Sequence, residues 1–281
     1  MSMHKVKAGH LIRLLGGNHN VNSLKLDDVA AYIDTRKVEG ACTNTIAKEL
    51  ITLRAALRVA RKRGVYDGHP EDLIPTGFSP HYVPRKRWLS PAEFEKLLLQ
   101  LPADRRAHVA IMVFTGVRLS ESAALRPEHV DIEKRRLYIP GTKTEQAGTT
   151  VPLAAAAVPW LMALLGHRPA GQAELLTPWR NIRRDLRLAC DKAEIDPVSP
   201  NDLRRTFSSW LEQAGVPRGT NARLMRHTTT AMVDKVYAQS AFETLSAAAD
   251  LLPAGPTVSV GLLPAPPESR PDKVASDGAK K

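Results

Sequence analysis

Between residues 68 and 88 the chain carries Pro70, Pro75, Pro80 and Pro84, and closes on Arg85-Lys86-Arg87. Proline has a fixed φ and no amide hydrogen. Four of them in so short a space do not support a packed helix and predict an extended, basic linker. A chain of 281 residues is in any case long for one compact core. The stretch therefore divides the chain into a unit over 1–67, a linker over 68–88 and a second unit over 89–252. Residues 253–281, rich in proline, small residues and charge, read as a disordered tail.

The first unit reads as helical. Asp27 to Tyr32 is a short amphipathic stretch, and a stronger one opens on Thr43-Asn44-Thr45, which is N-cap chemistry. There Ile46, Leu50, Leu53 and Leu57 recur at helical spacing, and Arg61-Lys62-Arg63-Gly64 is a helix stop. Lys48, Arg54, Arg58 and Arg61 put cations on the same helix. The second unit opens with a capping box, Ser90-Pro91-Ala92-Glu93, followed by Phe94, Leu97, Leu98 and Leu101. A helix over about 105–114 stops at Thr115-Gly116, and a short helix over 120–125 follows. Leu137-Tyr138-Ile139 and Thr150-Val151-Pro152-Leu153 read as two strands around a Gly141–Gly148 turn region. From Val158 to about Leu251 the pattern is again helical. The fold class is mainly α with a small β-sheet or hairpin.

Charge is the first clue to a partner: 40 Lys and Arg against 29 Asp and Glu leave +11. Such a field favours a polyanion but does not by itself separate DNA from RNA or an anionic membrane. No apolar run reaches the ~20 residues that cross a bilayer, and no signal peptide opens the chain. Cys42 and Cys190 stand far apart, which argues against a disulfide framework or a zinc knuckle and for a reducing, cytoplasmic setting.

Four segments of the second unit hold groups that make chemical sense together. Thr115-Gly116-Val117-Arg118 is followed by Glu121, three residues on and on the same helical side. Gly141-Thr142-Lys143-Thr144 sets a lysine in the turn between the strands. Asn201 and Arg204 stand three apart at a helix start, with Leu203, Phe207, Trp210 and Leu211 as its core stripe. His227 precedes Tyr237 by ten residues. Taken singly, each would be an ordinary surface, core or capping residue.

In this order the boxes resemble the catalytic domain of the tyrosine recombinase, or phage integrase, family. The family pattern of Arg, Lys, His-x-x-Arg, His or Trp and Tyr runs from about Leu89 to Leu251. The resemblance implies a two-domain architecture: a helical core-type DNA-binding domain over 1–67, short at its start and without a separate arm-binding domain, and a DNA breaking–rejoining domain over 89–252. It further implies Tyr237 as nucleophile forming a 3′-phosphotyrosyl bond, and Lys143 as general acid to the 5′-hydroxyl. Arg118, Arg204 and His227 would hold the phosphate. The implied partners are double-stranded DNA and further copies of the chain in a synaptic tetramer, with room for accessory DNA-bending or directionality factors and no membrane. No cofactor or metal is implied.

Two residues depart from the pattern. Asn201 stands where histidine is usual; it can hydrogen-bond a phosphate oxygen but cannot titrate near neutral pH. Arg226 stands where glycine usually precedes the histidine, adding a cation near the site. The residue types suit phosphodiester transfer, because two guanidiniums can clamp the oxygens of a phosphorus that gains negative charge. Glu121 suits the orienting of neighbouring cations better than reaction. Integrase, chromosome-dimer resolvase and transposon recombinase remain open. So do a binding-only architectural protein of the same fold, motivated by Asn201, and a type IB topoisomerase.

Overall fold

The computed structural model describes residues 3–17, 20–81, 84–141, 148–167, 171–226 and 241–256. The chain divides into two compact units, Met1–Arg85 and Lys86–Lys281. Among the described residues no helix is long and apolar enough to cross a membrane.

The first unit is built on α1 (Met3–Leu15), α2 (Leu26–Val38) and α3 (Thr43–Lys62). In α3 the stripe of Ile46, Leu50, Leu53 and Leu57 is buried, as its spacing predicts. Its N-cap is Cys42 rather than a threonine, so Thr43 and Thr45 fall inside the first turn, with Thr45 Oγ1 3.2 Å from Cys42 Sγ. Helix α1 has no counterpart among the stretches picked out in the sequence, because Lys5, Lys7, His10 and Arg13 interrupt its apolar residues. The proline-rich stretch 68–88 is more than a spacer. Leu73 is buried in the first core and Ile74 and Phe78 pack against it, while Arg87 on the far side forms an ion pair with Glu93 at 2.7 Å.

At the centre of this unit lies a polar cluster. The Tyr32 hydroxyl donates to Glu49 Oε2 at 2.7 Å, and Arg36 donates through Nε at 3.1 Å and through Nη2 to Oε1 at 2.9 Å. Glu49 and Arg36 are both buried. Burial by itself pushes the Glu49 carboxyl up, but the hydrogen bonds from Arg36 and Tyr32 outweigh it and hold the group below the usual carboxylate range.

The second unit opens with α4 (Pro91–Leu99). Its capping box is closed in both directions: Glu93 N donates to Ser90 Oγ at 3.2 Å, and Ser90 N to Glu93 Oε2 at 2.8 Å. Helix α5 (Ala103–Thr115) is buried without a break from Ala107 to Thr115 and forms the middle of the core. Phe94 packs edge-on against Phe114 and Trp210, with ring centroids 5.4 and 5.6 Å apart. The short α6 (Leu119–Ser122) follows. A three-stranded antiparallel sheet is then made by β1 (Val130–Asp131), β2 (Arg136–Ile139) and β3 (Thr149–Pro152). In β2, Leu137 and Ile139 face the core, and Leu137 pairs with Val151. Strand β1 is two residues long, too short to leave an alternation in the sequence.

Among the described residues, the long helical stretch after Val158 is broken into α7 (Val158–Gly166), α8 (Ile182–Ala193), α9 (Pro200–Gln213), α10 (Arg218–Leu224) and α11 (Ala241–Ala249). Helix α9 lies against α5. Asp250, just after α11, accepts from Ala155 N at 2.9 Å and forms an ion pair with Arg135, tying this end of the chain to the sheet. Of the expected tail over 253–281, residues 257–281 lie outside the described residues. A Cβ on Gly255 would stand 2.7 Å from the ring of Phe114, so this glycine lies against the core.

Gly116 ends α5 in the left-handed region, at φ 61°, and a Cβ there would meet the Phe207 ring at 2.6 Å. Gly116→Ala combines left-handed strain with overpacking and is expected to destabilise the second unit by at least about 2 kcal/mol. All four tryptophans, Trp88, Trp160, Trp179 and Trp210, belong to this unit. A fluorescence-detected urea melt therefore reads the change, and an unchanged midpoint would show that Phe207 moves aside freely.

Candidate active site

The left-handed turn at Gly116 sends the chain out of α5 and into α6 at a sharp angle. Arg118 becomes the extended N-cap residue of α6, with its amide donating to Glu121 Oε2 at 2.7 Å. Its Nη1 donates to Glu121 Oε1 at 2.6 Å, while the side chain stays 46% exposed. The same turn aims the Gly116 carbonyl at α9, where it accepts from Arg204 Nη1. Arg204 Nη2 donates to the Met225 carbonyl. Arg204 is thus buried and held through both terminal nitrogens, whereas among the described residues the Arg118 guanidinium is held through Nη1 alone.

Helix α9 begins at Ser199, whose Oγ and amide both meet Asp202 Oδ2, at 2.7 and 2.9 Å. Asn201 is therefore not needed as a cap and is exposed. Asn201, Arg204, Arg205 and Ser208 follow one another at helical spacing on one face. With Arg118 and Met225 they line an open cleft of about 440 Å³. Three of the expected site residues, Arg118, Asn201 and Arg204, are thus brought together. Lys143, His227 and Tyr237 lie outside the described residues. Lys143 belongs to the connection between β2 and β3, and His227 directly follows Arg226.

Arg205 and Ser208 were not singled out in the sequence, although their spacing from Asn201 and Arg204 carried the signal. Ser208 Oγ donates to Asn221 Oδ1 at 3.2 Å, and Arg205 forms an ion pair with Asp202.

Glu121 is the electrostatic centre. Besides Arg118, its Oε2 accepts from Arg226 Nη2 at 2.8 Å and lies 3.9 Å from Arg204 Nη1. Burial pushes the Glu121 carboxyl up. The Arg226 cation first, then the amide and guanidinium of Arg118, overcome this and hold it below the usual carboxylate range. Burial, then the cations Arg226 and Arg118, press the Arg204 guanidinium down to about 9, still protonated at neutral pH. The cleft thus presents buried and half-buried cations short of negative charge, an arrangement that can receive a phosphate.

A sequence model of the phage integrase family matches residues 87–244. The chain belongs to the phage integrase family. Among curated members, the tyrosine recombinase XerC of Yersinia pestis is 25% identical over 210 residues, covering 73% of this chain and 64% of that protein. The integrase of Salmonella phage P22 is 28% identical over 200 residues, covering 64% of this chain and 50% of that protein. The chain thus spans less than two thirds of the length of either relative. A lambda integrase dimer bound to a COC′ core site has the same fold, with a TM-score of 0.68 at 19% identity, over 82% of this chain and 88% of that one. The Tn1549 transposon integrase in complex with transposon right-end DNA is similar at a TM-score of 0.65 and 21% identity, over 88% and 92% of the two chains. The mainly helical fold with a small sheet is therefore that of tyrosine recombinases.

Proposed function

We propose that this chain is a site-specific DNA recombinase or integrase that cleaves and rejoins duplex DNA through a 3′-phosphotyrosyl intermediate on Tyr237. The observation that carries this reading is the convergence of Arg118 and Arg204 on one cleft, above a buried carboxylate, in a member of the phage integrase family. The reading is supported by the lambda and Tn1549 integrases, whose solved structures hold DNA.

In this reaction the Tyr237 phenol oxygen attacks the scissile phosphorus, and the bond to the 5′-oxygen breaks as the phosphotyrosyl bond forms. The phenol proton leaves to a base or to solvent, and Lys143 gives a proton to the departing 5′-oxygen. Arg118 and Arg204 take the non-bridging oxygens, where charge accumulates in the transition state. His227 and Asn201 hydrogen-bond the same phosphate, Asn201 by position alone because an amide does not titrate. One diester is exchanged for another, so the reverse attack by a 5′-hydroxyl rejoins the strand without an external energy source.

Residues 89–252 are the catalytic domain and 1–67 the core-type DNA-binding domain, joined by the basic stretch 68–88. The chain acts in the cytoplasm, as a synaptic tetramer on double-stranded DNA, with accessory bending or directionality factors where the site requires them.

The test is to incubate the native chain with nicked suicide duplexes carrying candidate core sites, then denature and digest. A denaturant-resistant adduct whose nucleotide-bearing peptide contains Tyr237 is expected by mass spectrometry. Tight binding of the same duplexes with no adduct, beside an active control recombinase on its own site, points instead to the binding-only protein.

A further inference from the structure

Arg226 occupies a position that disfavours any side chain. Its φ is +53°, in the left-handed region where glycine is at ease, yet the side chain is retained and buried, 9% exposed. Its Nη2 donates to Glu121 Oε2 at 2.8 Å and to the Gly116 carbonyl at 3.1 Å, and its Nη1 donates to the Leu224 carbonyl at 3.2 Å. Arg226 does not line the cleft. It lies behind it, sharing Glu121 with Arg118 and the Gly116 carbonyl with Arg204.

The charge count around Glu121 gives this contact a function. Arg118, Arg204 and Arg226 surround one carboxylate, leaving the cluster two net positive charges. Without Arg226 a single net charge would remain, with Arg118 hydrogen-bonded to Glu121 at 2.6 Å and Arg204 at 3.9 Å as its cationic neighbours among the described residues. Arg118 is the exposed arginine of the cluster, the one able to turn towards a phosphate. A phosphodiester carries one negative charge, and its pentacoordinate transition state carries about one more, so a cluster held at two positive charges favours the transition state over the ground state.

We propose that Arg226 is a positioning residue for strand transfer: by holding Oε2 of Glu121 it confines the Arg118 guanidinium to Oε1, leaving the rest of that fork for the phosphate, and keeps the cluster two charges positive. This rests on the recombinase reading above.

The count makes a prediction that a merely structural role does not share. Arg226→Met lowers the cluster to one positive charge, whereas Arg226→Met combined with Glu121→Gln returns it to two. The experiment is single-turnover adduct formation on a nicked duplex that the native chain cleaves, at saturating protein, comparing the native chain, Arg226→Met and the double variant. Arg226→Met is expected to cleave about 10- to 100-fold more slowly, the scale of losing a residue that orients a liganding group, with duplex affinity within about twofold of native. The double variant is expected to recover most of that loss. A double variant as slow as Arg226→Met, or slower, overturns the proposal. Arg226→Gly suits the left-handed backbone and guards against misfolding: slow cleavage with an undiminished melting temperature is expected, and a native cleavage rate overturns the proposal. A native adduct with no loss in either Arg226 variant defeats this inference alone. No adduct from the native chain on any nicked duplex it binds defeats the recombinase reading and this inference with it.

Discussion

Arg204→Ala is expected to slow covalent cleavage by about 10²–10³, the cost of removing one preorganised donor to a developing oxyanion. The side chain is buried between α5 and α10, with its terminal nitrogens on the carbonyls of Gly116 and Met225. It meets the phosphate already oriented, so the site needs no rearrangement as charge develops. Alanine also takes the Arg204 donor from the Met225 carbonyl, at about 1–3 kcal/mol for a buried acceptor left without one, while the Gly116 carbonyl keeps Arg226 Nη2. A loss of rate through misfolding must therefore be separated from a loss of chemistry. Arg204→Lys serves this purpose, since it keeps the charge and the stem but not the planar fork. The measurement is the single-turnover adduct rate on a nicked duplex, with Tyr237→Phe as blank, beside the melting midpoint of each chain. Slow cleavage by the lysine variant at a near-native midpoint is expected. Native cleavage by Arg204→Lys would show that the fork is not used.

The second large effect lies in the first unit and concerns stability alone. Among the described residues, Glu49→Ala leaves Arg36 buried with only the partly exposed Glu39 as an ionic partner, and it removes the acceptor of the Tyr32 hydroxyl. Breaking a buried pair from one side costs about 3–5 kcal/mol. Because the second unit holds the tryptophans, hydrogen exchange of the amides in α2 and α3 is the suitable measurement, with a large loss of protection expected. A change below about 1 kcal/mol would mean that Glu39 alone satisfies Arg36. The pH dependence has a definite sign. The folded carboxyl is held below its ordinary value, so its contribution is complete above the usual carboxylate range and disappears as pH falls through the folded value. Glu49→Gln should remove that part of the acid sensitivity.

Short-range chemistry was legible from the sequence. The capping box at Ser90, the stripe in α3, the stop at Gly116 and the core face of α9 each depend on residues a few positions apart, and each is found. The order of the chemical boxes was legible for the same reason, since Arg118 with Glu121 and Asn201 with Arg204 are local pairs. Where a segment is too short or too interrupted to carry a period, as in β1 and α1, the pattern gave no sign. The proline stretch read as a linker still sends Leu73 into a core, because one buried leucine among prolines has no periodicity.

The sequence by itself determined the two-unit division, the helical class, the family and the candidate residues, because all of these follow from spacing along the chain. The tertiary structure alone decided how the charges balance. Glu121 and Arg226 are 105 residues apart, and no local rule pairs them. In the sequence Arg226 is one more cation beside His227. In the fold it is buried against the carboxylate that also holds Arg118, where charge interactions are strong and a single partner changes what its neighbours can do. That balance depends on which distant segments a core brings together, and only packing determines it.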